Sequence, residues 1–201
     1  FSNFPFALQL RNEIRENSKL SLYFINSKQN ASSDWVFSMA AFLNQVENGK
    51  TVTVMANNGL INIPDSGIRK YLVDNGLIEA VIALPGRLYK NTAIPVNVLV
   101  MSKGNEKVNL IDATSIYVAG RWQNDLSQDN VEEIYKAYCG KSEHSIRLST
   151  EELAKQDYVL NPARYIIRKD SEIKDAILFG DVCLEINRGA IIRAEVLDAN
   201  V

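Results

Sequence analysis

The strongest constraint on the fold is the short connection between two almost entirely apolar segments. LIEAVIALP (77–85) and VNVLVMSK (96–103) are both typical of strands buried on both faces, and only residues 86–95 lie between them. A parallel pair of strands needs a crossover of about a dozen residues or more, and this crossover is usually helical. The two segments are therefore predicted to be antiparallel neighbours in one sheet.

The segments around this pair alternate between strand and helix patterns. TVTVMAN (51–57) is predicted to be a third buried strand, and DSGIRKYLVDNG after it has the pattern of an amphipathic helix that ends at Gly76. Another helix is predicted from about residue 34 to 48, with Ser33 or Asp34 as its cap and Gly49 after it. Strand, helix and strand in this order indicate an α/β fold.

VNLIDAT (108–114) is predicted to be a fourth strand. The segment GNEK before it is too short for a parallel crossover, so this strand is antiparallel to 96–103 if the two are adjacent. The prediction is a mostly parallel sheet that finishes in an antiparallel hairpin.

Composition excludes several classes of site. The chain has 201 residues and is 46% hydrophobic, which is enough for one sizeable core. Its single histidine, His144, argues against a Ser/His/Asp or Cys/His nucleophilic site and against a multi-histidine zinc site, so no metal is expected. The net charge of -2 excludes a generally basic nucleic-acid clamp, so any DNA contact must come from local patches or partner chains.

The apolar runs, the start of the chain and the cysteines bear on where the protein is located in the cell. No apolar run approaches the roughly 18 residues that span a bilayer, and there is no signal peptide. Cys139 and Cys183 have no metal-site spacing and are interpreted as reduced thiols of a cytosolic protein. The chain does not begin with Met, so we expect a fragment or a processed form.

After residue 115 the pattern becomes more helical. SQDNVEEIYKAYCG (127–140) is predicted to be a helix capped by Ser127 or Asp129, and a short helix begins at Ser149-Thr150-Glu151-Glu152. Trp122, like Trp35, is expected in the core or at an interface rather than as a ligand-stacking residue. Residues 116–170 are predicted to be a helical extension, and 171–201 a linker followed by the start of another module.

Five ordered sequence blocks resemble a known family. They are Ile68-Arg69-Lys70, Glu79-Ala80-Val81-Ile82 with Leu84-Pro85, Thr92-Ala93-Ile94-Pro95, Val98-Leu99-Val100 with Lys103, and the tail YVLNPARY. Their order and spacing over about residues 34–165 resemble the N-6 adenine DNA methylase family, the modification subunit of type I restriction-modification systems. LFGDVCLEINRGAII (178–192) resembles the start of a target-recognition domain of a specificity subunit, which implies a fused polypeptide.

The resemblance implies a fold and a division of the chain. The expected fold is α/β, a Rossmann-like class I S-adenosylmethionine-dependent methyltransferase sheet. Residues 1–115 would form the C-terminal part of this catalytic domain. In the family, the Gly-rich turn that binds S-adenosylmethionine lies upstream of these blocks, so the main cofactor site is expected upstream of this segment.

The first residues of the chain match the catalytic motif of the family. Asn3-Phe4-Pro5-Phe6 stands where the family has Asn-Pro-Pro followed by Phe or Tyr, at the end of a strand. The Asn3 side-chain oxygen and the Phe4 carbonyl would accept the two hydrogens of an exocyclic amine and direct its lone pair at the methyl group. Pro5 fixes the turn, and Phe6 would stack on an extruded base. Phe4 replaces the first Pro of the motif, which keeps the carbonyl but weakens the rigidity of the turn.

Two further sets of residues are candidates for DNA contact. Arg69 and Lys70 lie on a helix and would reach phosphates, or else form a solvated helix face. The loop 86–95 carries basic and aromatic side chains that suit DNA or an extruded base, or else is an exposed hairpin loop. Its candidates are Arg87, Tyr89, Lys90, Asn91 and Thr92.

The resemblance implies methyl transfer from S-adenosylmethionine to N6 of an extruded adenine in double-stranded DNA. The expected partners are DNA, a specificity subunit or fused target-recognition domain, and a restriction subunit, in the cytoplasm of a prokaryote. Two alternatives remain open. One is a non-catalytic scaffold within such a complex, and the other is a methyltransferase that acts on RNA, protein or a small molecule.

Overall fold

The computed structural model describes residues 1–6, 8–9, 32–90, 93–140 and 142–166. The chain divides into two units, Phe1–Ile167 and Arg168–Val201, and the described residues all belong to the first. The predictions for Asn91, Thr92, Cys183, the linker and the target-recognition segment lie outside the described residues. In the described part of the chain, no helix is long and apolar enough to cross a membrane.

Within the described residues, six strands form one mixed sheet with helices on both faces. The strands are β1 (Ser2–Asn3), β2 (Thr51–Ala56), β3 (Ile78–Ala83), β4 (Val96–Met101), β5 (Lys107–Asp112) and β6 (Ser145–Ser149). The helices are α1 (Ser33–Leu43), α2 (Asn58–Ile61), α3 (Ser66–Asp74), α4 (Gln128–Cys139) and α5 (Thr150–Ala154), followed by a 3-10 helix at Pro162–Arg164. The strand order is β1-β2-β4-β3-β5-β6.

Strands β1, β2, β3 and β5 run in one direction, and β4 and β6 run in the other. The sheet is mostly parallel in this sense, although β4 is antiparallel to both of its neighbours. The predicted antiparallel pairing of 77–85 with 96–103 is confirmed by β3 and β4. This hairpin lies inside the sheet rather than at its end.

The fourth predicted strand is β5, and it is not adjacent to β4. Both edges of β4 are already paired, with β2 and β3, so β5 pairs in parallel with the free edge of β3. The connection from β4 to β5 therefore passes the start of β3, where Asn105 donates from its backbone N to the Gly76 carbonyl at 3.0 Å. Gly76 has φ +61°, and a Cβ there would lie 2.7 Å from the Asn105 carbonyl, so this position requires glycine.

Alternating side chains build a core on each face of the sheet. Val81, Leu99 and Leu110 face α1 and α3 together with Phe4, whereas Ile82 and Ile111 face Ile134 and Ala137 of α4. This alternation follows from the two-residue period of a strand, and burial on both faces explains why β3 and β4 are apolar at nearly every position.

Two helix starts differ in how well the sequence predicted them. Ser127 caps α4, in a reciprocal pair of hydrogen bonds with Asn130. By contrast, Ser33 and Asp34 lie inside α1, which begins after Ser32, and the helix ends near Asn44, before Gly49. The Asp34 carboxylate accepts hydrogen bonds from the Ala56 backbone N at 3.1 Å and from Ser33 Oγ at 3.3 Å, so it links α1 to the end of β2.

The predicted helical extension also contains a strand. Residues 145–149 form β6 and pair antiparallel with β5, so this part of the extension continues the sheet. SIRLS is short and only partly buried, and its strand character comes from the free edge of β5 rather than from its own composition.

A polar network joins α4 to the edge of the sheet at which β2 and β3 start and β4 ends. The Glu79 carboxylate accepts hydrogen bonds from Lys50 Nζ at 2.6 Å, from Ser102 Oγ at 2.7 Å and from the Tyr138 hydroxyl. Burial acts to raise the pKa of Glu79, but the hydrogen bonds from Lys50, Tyr138 and Ser102 together outweigh it and lower that pKa below 4.5. The network therefore stabilises the ionised form of Glu79.

We expect Glu79→Gln to lower the free energy of unfolding by about 1 kcal/mol at pH 7. Because the folded-state pKa is depressed, this contribution is present above the unfolded-state value and is lost as the pH falls through the folded-state pKa. The free energies of unfolding of wild type and variant, measured with urea, should therefore converge as the pH falls through the folded-state pKa of Glu79. Glu106→Gln, an exposed carboxylate in the neighbouring turn, is the matched control and should leave stability at pH 7 unchanged. A constant difference at every pH would contradict the prediction.

Candidate active site

The candidate site lies at one edge of the sheet. Strands β1, β2, β3 and β5 end there, at Asn3, Ala56, Ala83 and Asp112, and we call this the carboxyl edge. In open α/β sheets, ligands bind outside the carboxyl ends of the strands. The tetrapeptide Asn3-Phe4-Pro5-Phe6 begins at this edge.

The tetrapeptide alternates between exposed and buried side chains. Asn3 pairs in register with Val54 of β2, and its side chain is exposed. Phe4 is only 8% exposed, and its ring centroid lies 5.1 Å from that of Phe37 on α1. The Phe4 side chain therefore anchors this turn in the core, which offsets the rigidity lost where Pro is replaced.

Phe6 faces the loop that follows β3. Its ring meets the Tyr89 ring edge-to-face, with centroids 6.1 Å apart and an interplanar angle of 82°. The structure thus brings together residues more than eighty positions apart that the sequence proposed separately as catalytic and as substrate-binding. Two half-buried aromatic rings at the carboxyl edge can border a flat ligand.

The other loop candidates surround this contact. Arg87 is exposed, with φ +61°, and Lys90 is exposed. Arg87 Nη2 donates a hydrogen bond to the Arg121 carbonyl at 3.1 Å. The loop is thus tied to the segment between β5 and α4.

Arg69 is not a DNA contact in this structure. Its side chain is 1% exposed, Nε donates to the Tyr158 carbonyl at 2.8 Å, and Nη1 donates to the Gly59 carbonyl at 3.0 Å. Burial lowers the pKa of Arg69, against the opposing charges of Asp65 and Asp157. The sequence suggested a solvated arginine because a buried cation cannot be recognised without its acceptors, and these are backbone carbonyls.

Lys70 is exposed but already paired. Nζ lies 2.6 Å from the Asp74 carboxylate and 3.0 Å from the Tyr158 hydroxyl, and it lies 4.9 Å from the Tyr158 ring centroid. The hydrogen bonds to Asp74 and Tyr158 raise the pKa of Lys70. Its contact with phosphate remains a prediction.

Sequence reasoning missed the segment that holds the loop 86–95, which we call the substrate loop after the role predicted for it. Gln123 Nε2 donates a hydrogen bond to the Leu88 carbonyl, and Asn124 Nδ2 donates one to the Gly86 carbonyl. The only signal in the sequence was GRWQND, a glycine followed by polar and aromatic residues between a strand and a helix. Trp35 is fully buried as expected, but Trp122 is 81% exposed and is not a core residue.

Known proteins with similar sequences include methylase subunits of type I restriction enzymes. The MjaVIII methylase subunit of a type I restriction enzyme from Methanocaldococcus jannaschii is 29% identical over 194 residues, covering 88% of this chain and 32% of the relative. The HindI methylase subunit from Haemophilus influenzae is 28% identical, covering 77% of this chain and 38% of the relative. The chain thus spans about a third of the length of these relatives.

A solved structure has the same fold. The type I restriction-modification methyltransferase subunit from Streptococcus thermophilus matches with a TM-score of 0.72 and 26% identity, covering 82% of this chain and 36% of that one. This confirms the predicted Rossmann-like methyltransferase sheet. A family model described as N-6 DNA Methylase matches residues 1–174, which include the tetrapeptide, the whole described sheet and the substrate loop. The chain therefore belongs to the N-6 DNA methylase family.

Proposed function

We propose that the protein carrying this chain transfers a methyl group from S-adenosylmethionine to N6 of adenine in double-stranded DNA, within a type I restriction-modification assembly. The observation that carries this proposal is the exposed Asn3 at the carboxyl edge, beside the paired rings of Phe6 and Tyr89. Membership of the N-6 DNA methylase family supports the same reaction.

Asn3 and Phe4 would position the exocyclic amine. The Asn3 side-chain oxygen and the Phe4 backbone carbonyl each accept one amine hydrogen, which directs the nitrogen lone pair towards the methyl donor. Burial of the Phe4 ring against Phe37 holds this carbonyl in place. The reaction needs no general base with a perturbed pKa before attack, which agrees with the single histidine.

Phe6 and Tyr89 would border the base. An adenine amine is inaccessible inside the duplex, so the base must leave the stack and enter a pocket with aromatic walls. A purine packed between these rings and Asn3 would have its N6 amine at the Asn3 side-chain oxygen and the Phe4 carbonyl. Arg87 and Lys90, exposed on the same loop, supply positive charge for the flanking phosphates.

The described residues are better suited to bind the adenine amine than to bind S-adenosylmethionine. S-adenosylmethionine supplies an electrophilic methyl group on a sulfonium, and its ribose is commonly held by a carboxylate. The carboxylates nearest the ends of β2 and β5 already have partners, Asp34 with the Ala56 backbone N and Asp112 with Thr114. We therefore propose that the main cofactor site is built by residues upstream of this segment.

Sequence specificity would come from another part of the assembly. The proposed partners are a specificity subunit or a fused target-recognition domain and, in the complete system, a restriction subunit. An enzyme of this kind acts on DNA in the prokaryotic cytoplasm.

A substrate competition tests the reaction. The full-length protein with its specificity partner, supplied with radiolabelled S-adenosylmethionine, should label duplex DNA, and unlabelled duplex should compete whereas RNA and peptide should not. Nuclease digestion of the labelled DNA should release N6-methyladenine. Labelling of RNA or protein in place of DNA would reject the proposal in favour of another amine substrate.

A further inference from the structure

A small hairpin projects beside the candidate site. Val118 and Asp125 exchange two backbone hydrogen bonds, of 2.8 and 3.0 Å, and we call residues 118–125 the edge hairpin. A Cβ on Gly120 would lie 1.9 Å from the Gln123 carbonyl oxygen, so glycine is required for this turn to close. The edge hairpin therefore has a defined shape rather than being a loose connection.

The edge hairpin is fixed to the substrate loop. Gln123 Nε2 donates to the Leu88 carbonyl at 2.7 Å, and the Asn124 backbone N donates to the Arg87 carbonyl at 2.9 Å. Two more bonds run from Asn124 Nδ2 to the Gly86 carbonyl and from Arg87 to the Arg121 carbonyl. Tyr89, the next residue of this loop, touches Phe6. These contacts place the hairpin next to the pair Phe6 and Tyr89, where the extruded base is proposed to bind.

The tip of the edge hairpin presents an aromatic ring and a cation to solvent. Trp122 is 81% exposed, and the Arg121 guanidinium lies 5.1 Å from the centroid of its ring. Over residues 84–90 and 113–126 the charged side chains are three basic ones and one acidic one, Arg87, Lys90, Arg121 and Asp125. An exposed indole with surrounding positive charge complements phosphates and unstacked bases.

We propose that the edge hairpin contacts the DNA duplex beside the extruded adenine. Arg121 binds a backbone phosphate, and the Trp122 ring packs against the nucleotide that loses its neighbour when the adenine leaves the stack. The inference rests on the proposed function, because it takes the carboxyl edge as the place where the base enters. It adds a DNA contact outside the tetrapeptide and the substrate loop.

The test measures DNA affinity of the full-length protein with its specificity partner across a range of salt concentrations. Arg121→Gln should reduce the slope of log affinity against log salt by about one, the loss of one phosphate contact. Trp122→Ala should weaken binding roughly tenfold, as expected for one lost stacking contact. Arg147→Gln and Tyr135→Ala, which alter an exposed arginine of β6 and an exposed tyrosine of α4, are matched controls and should change neither quantity.

A fluorescence measurement tests the same contact without relying on affinity. The difference between wild type and Trp122→Phe isolates the emission of Trp122, which should be quenched by acrylamide in the free complex and protected when duplex is added. Strong protection without DNA would show that another part of the assembly covers the hairpin, and would overturn the proposal. Loss of the partner subunit from the Trp122→Ala complex, with DNA affinity unchanged, would overturn it as well.

Failure of this inference can be distinguished from failure of the proposed function. A wild-type complex that methylates adenine, combined with unaffected binding by both hairpin variants, would reject only the DNA contact. A wild-type complex that binds and methylates no DNA would reject the proposed function, and the hairpin contact with it.

Discussion

Asn3→Ala is expected to reduce the rate of methyl transfer by about a thousandfold while leaving the fold and DNA binding intact. The side chain is exposed at the end of β1, so its removal creates no cavity in the core. What is lost is one of two acceptors that orient the amine, an interaction that strengthens as positive charge develops on nitrogen. The measurement is single-turnover methylation of duplex DNA by the complete protein with its partners.

Asn3→Asp separates the role of the acceptor from the size of the side chain. A carboxylate of the same shape can still accept one amine hydrogen, so this variant should retain more activity than the alanine variant. Asn75→Ala, which removes an exposed asparagine at the end of α3, is the matched control and should keep full activity.

The same experiment decides between an enzyme and a scaffold. If Asn3→Ala retained wild-type methylation, the acceptor role of Asn3 would be wrong, and the catalytic site would have to be sought elsewhere in the protein. If the wild-type complex assembled on DNA but transferred no methyl group, the scaffold alternative would be favoured.

The central strands could be predicted from the sequence because their constraints are local. Near-continuous apolar runs indicate strands buried on both faces, and the short loop 86–95 leaves only an antiparallel connection for β3 and β4. The position of β5 could not be predicted in this way, because it depends on which strand edges are free after β4 inserts between β2 and β3. Strand β6 was not predicted for the same reason, because the edge of β5 with which it pairs exists only in the assembled sheet.

The part of the candidate site that is a sequence motif could be proposed from the sequence. The contacts that depend on packing could not. The tetrapeptide was identified by residue type and order, whereas its contact with Tyr89 required the sheet to bring two distant loops to one edge. Arg69 shows the opposite case. Its chemistry suggests a phosphate contact, but its position on the inner side of α3 makes it part of the core.

Replacing Arg69 with Met is expected to lower the free energy of unfolding by about 3 kcal/mol. The guanidinium is almost completely buried and donates to the carbonyls of Gly59 and Tyr158, which belong to segments about a hundred residues apart. Met fills much of the same volume but donates no hydrogen bond, so the partly buried Tyr158 carbonyl would lose this partner. The Gly59 carbonyl would keep its bond from Trp35 Nε1, at 2.9 Å.

Urea unfolding followed by the fluorescence of the buried Trp35 measures this effect, and Lys70→Ala provides the control. Lys70 is the next residue of α3 but is exposed, and its ion pair with Asp74 is screened by solvent, so its removal should lower the unfolding midpoint far less than replacement of Arg69. Arg69→Lys should be almost as destabilising as Arg69→Met, because the ammonium keeps the charge but cannot reach both carbonyls with the geometry of a guanidinium. A stable Arg69→Met protein with weakened, less salt-dependent DNA binding would instead identify Arg69 as a phosphate contact. Because each carbonyl lies within 3.0 Å of the guanidinium, we expect the loss to appear in stability and not in DNA affinity.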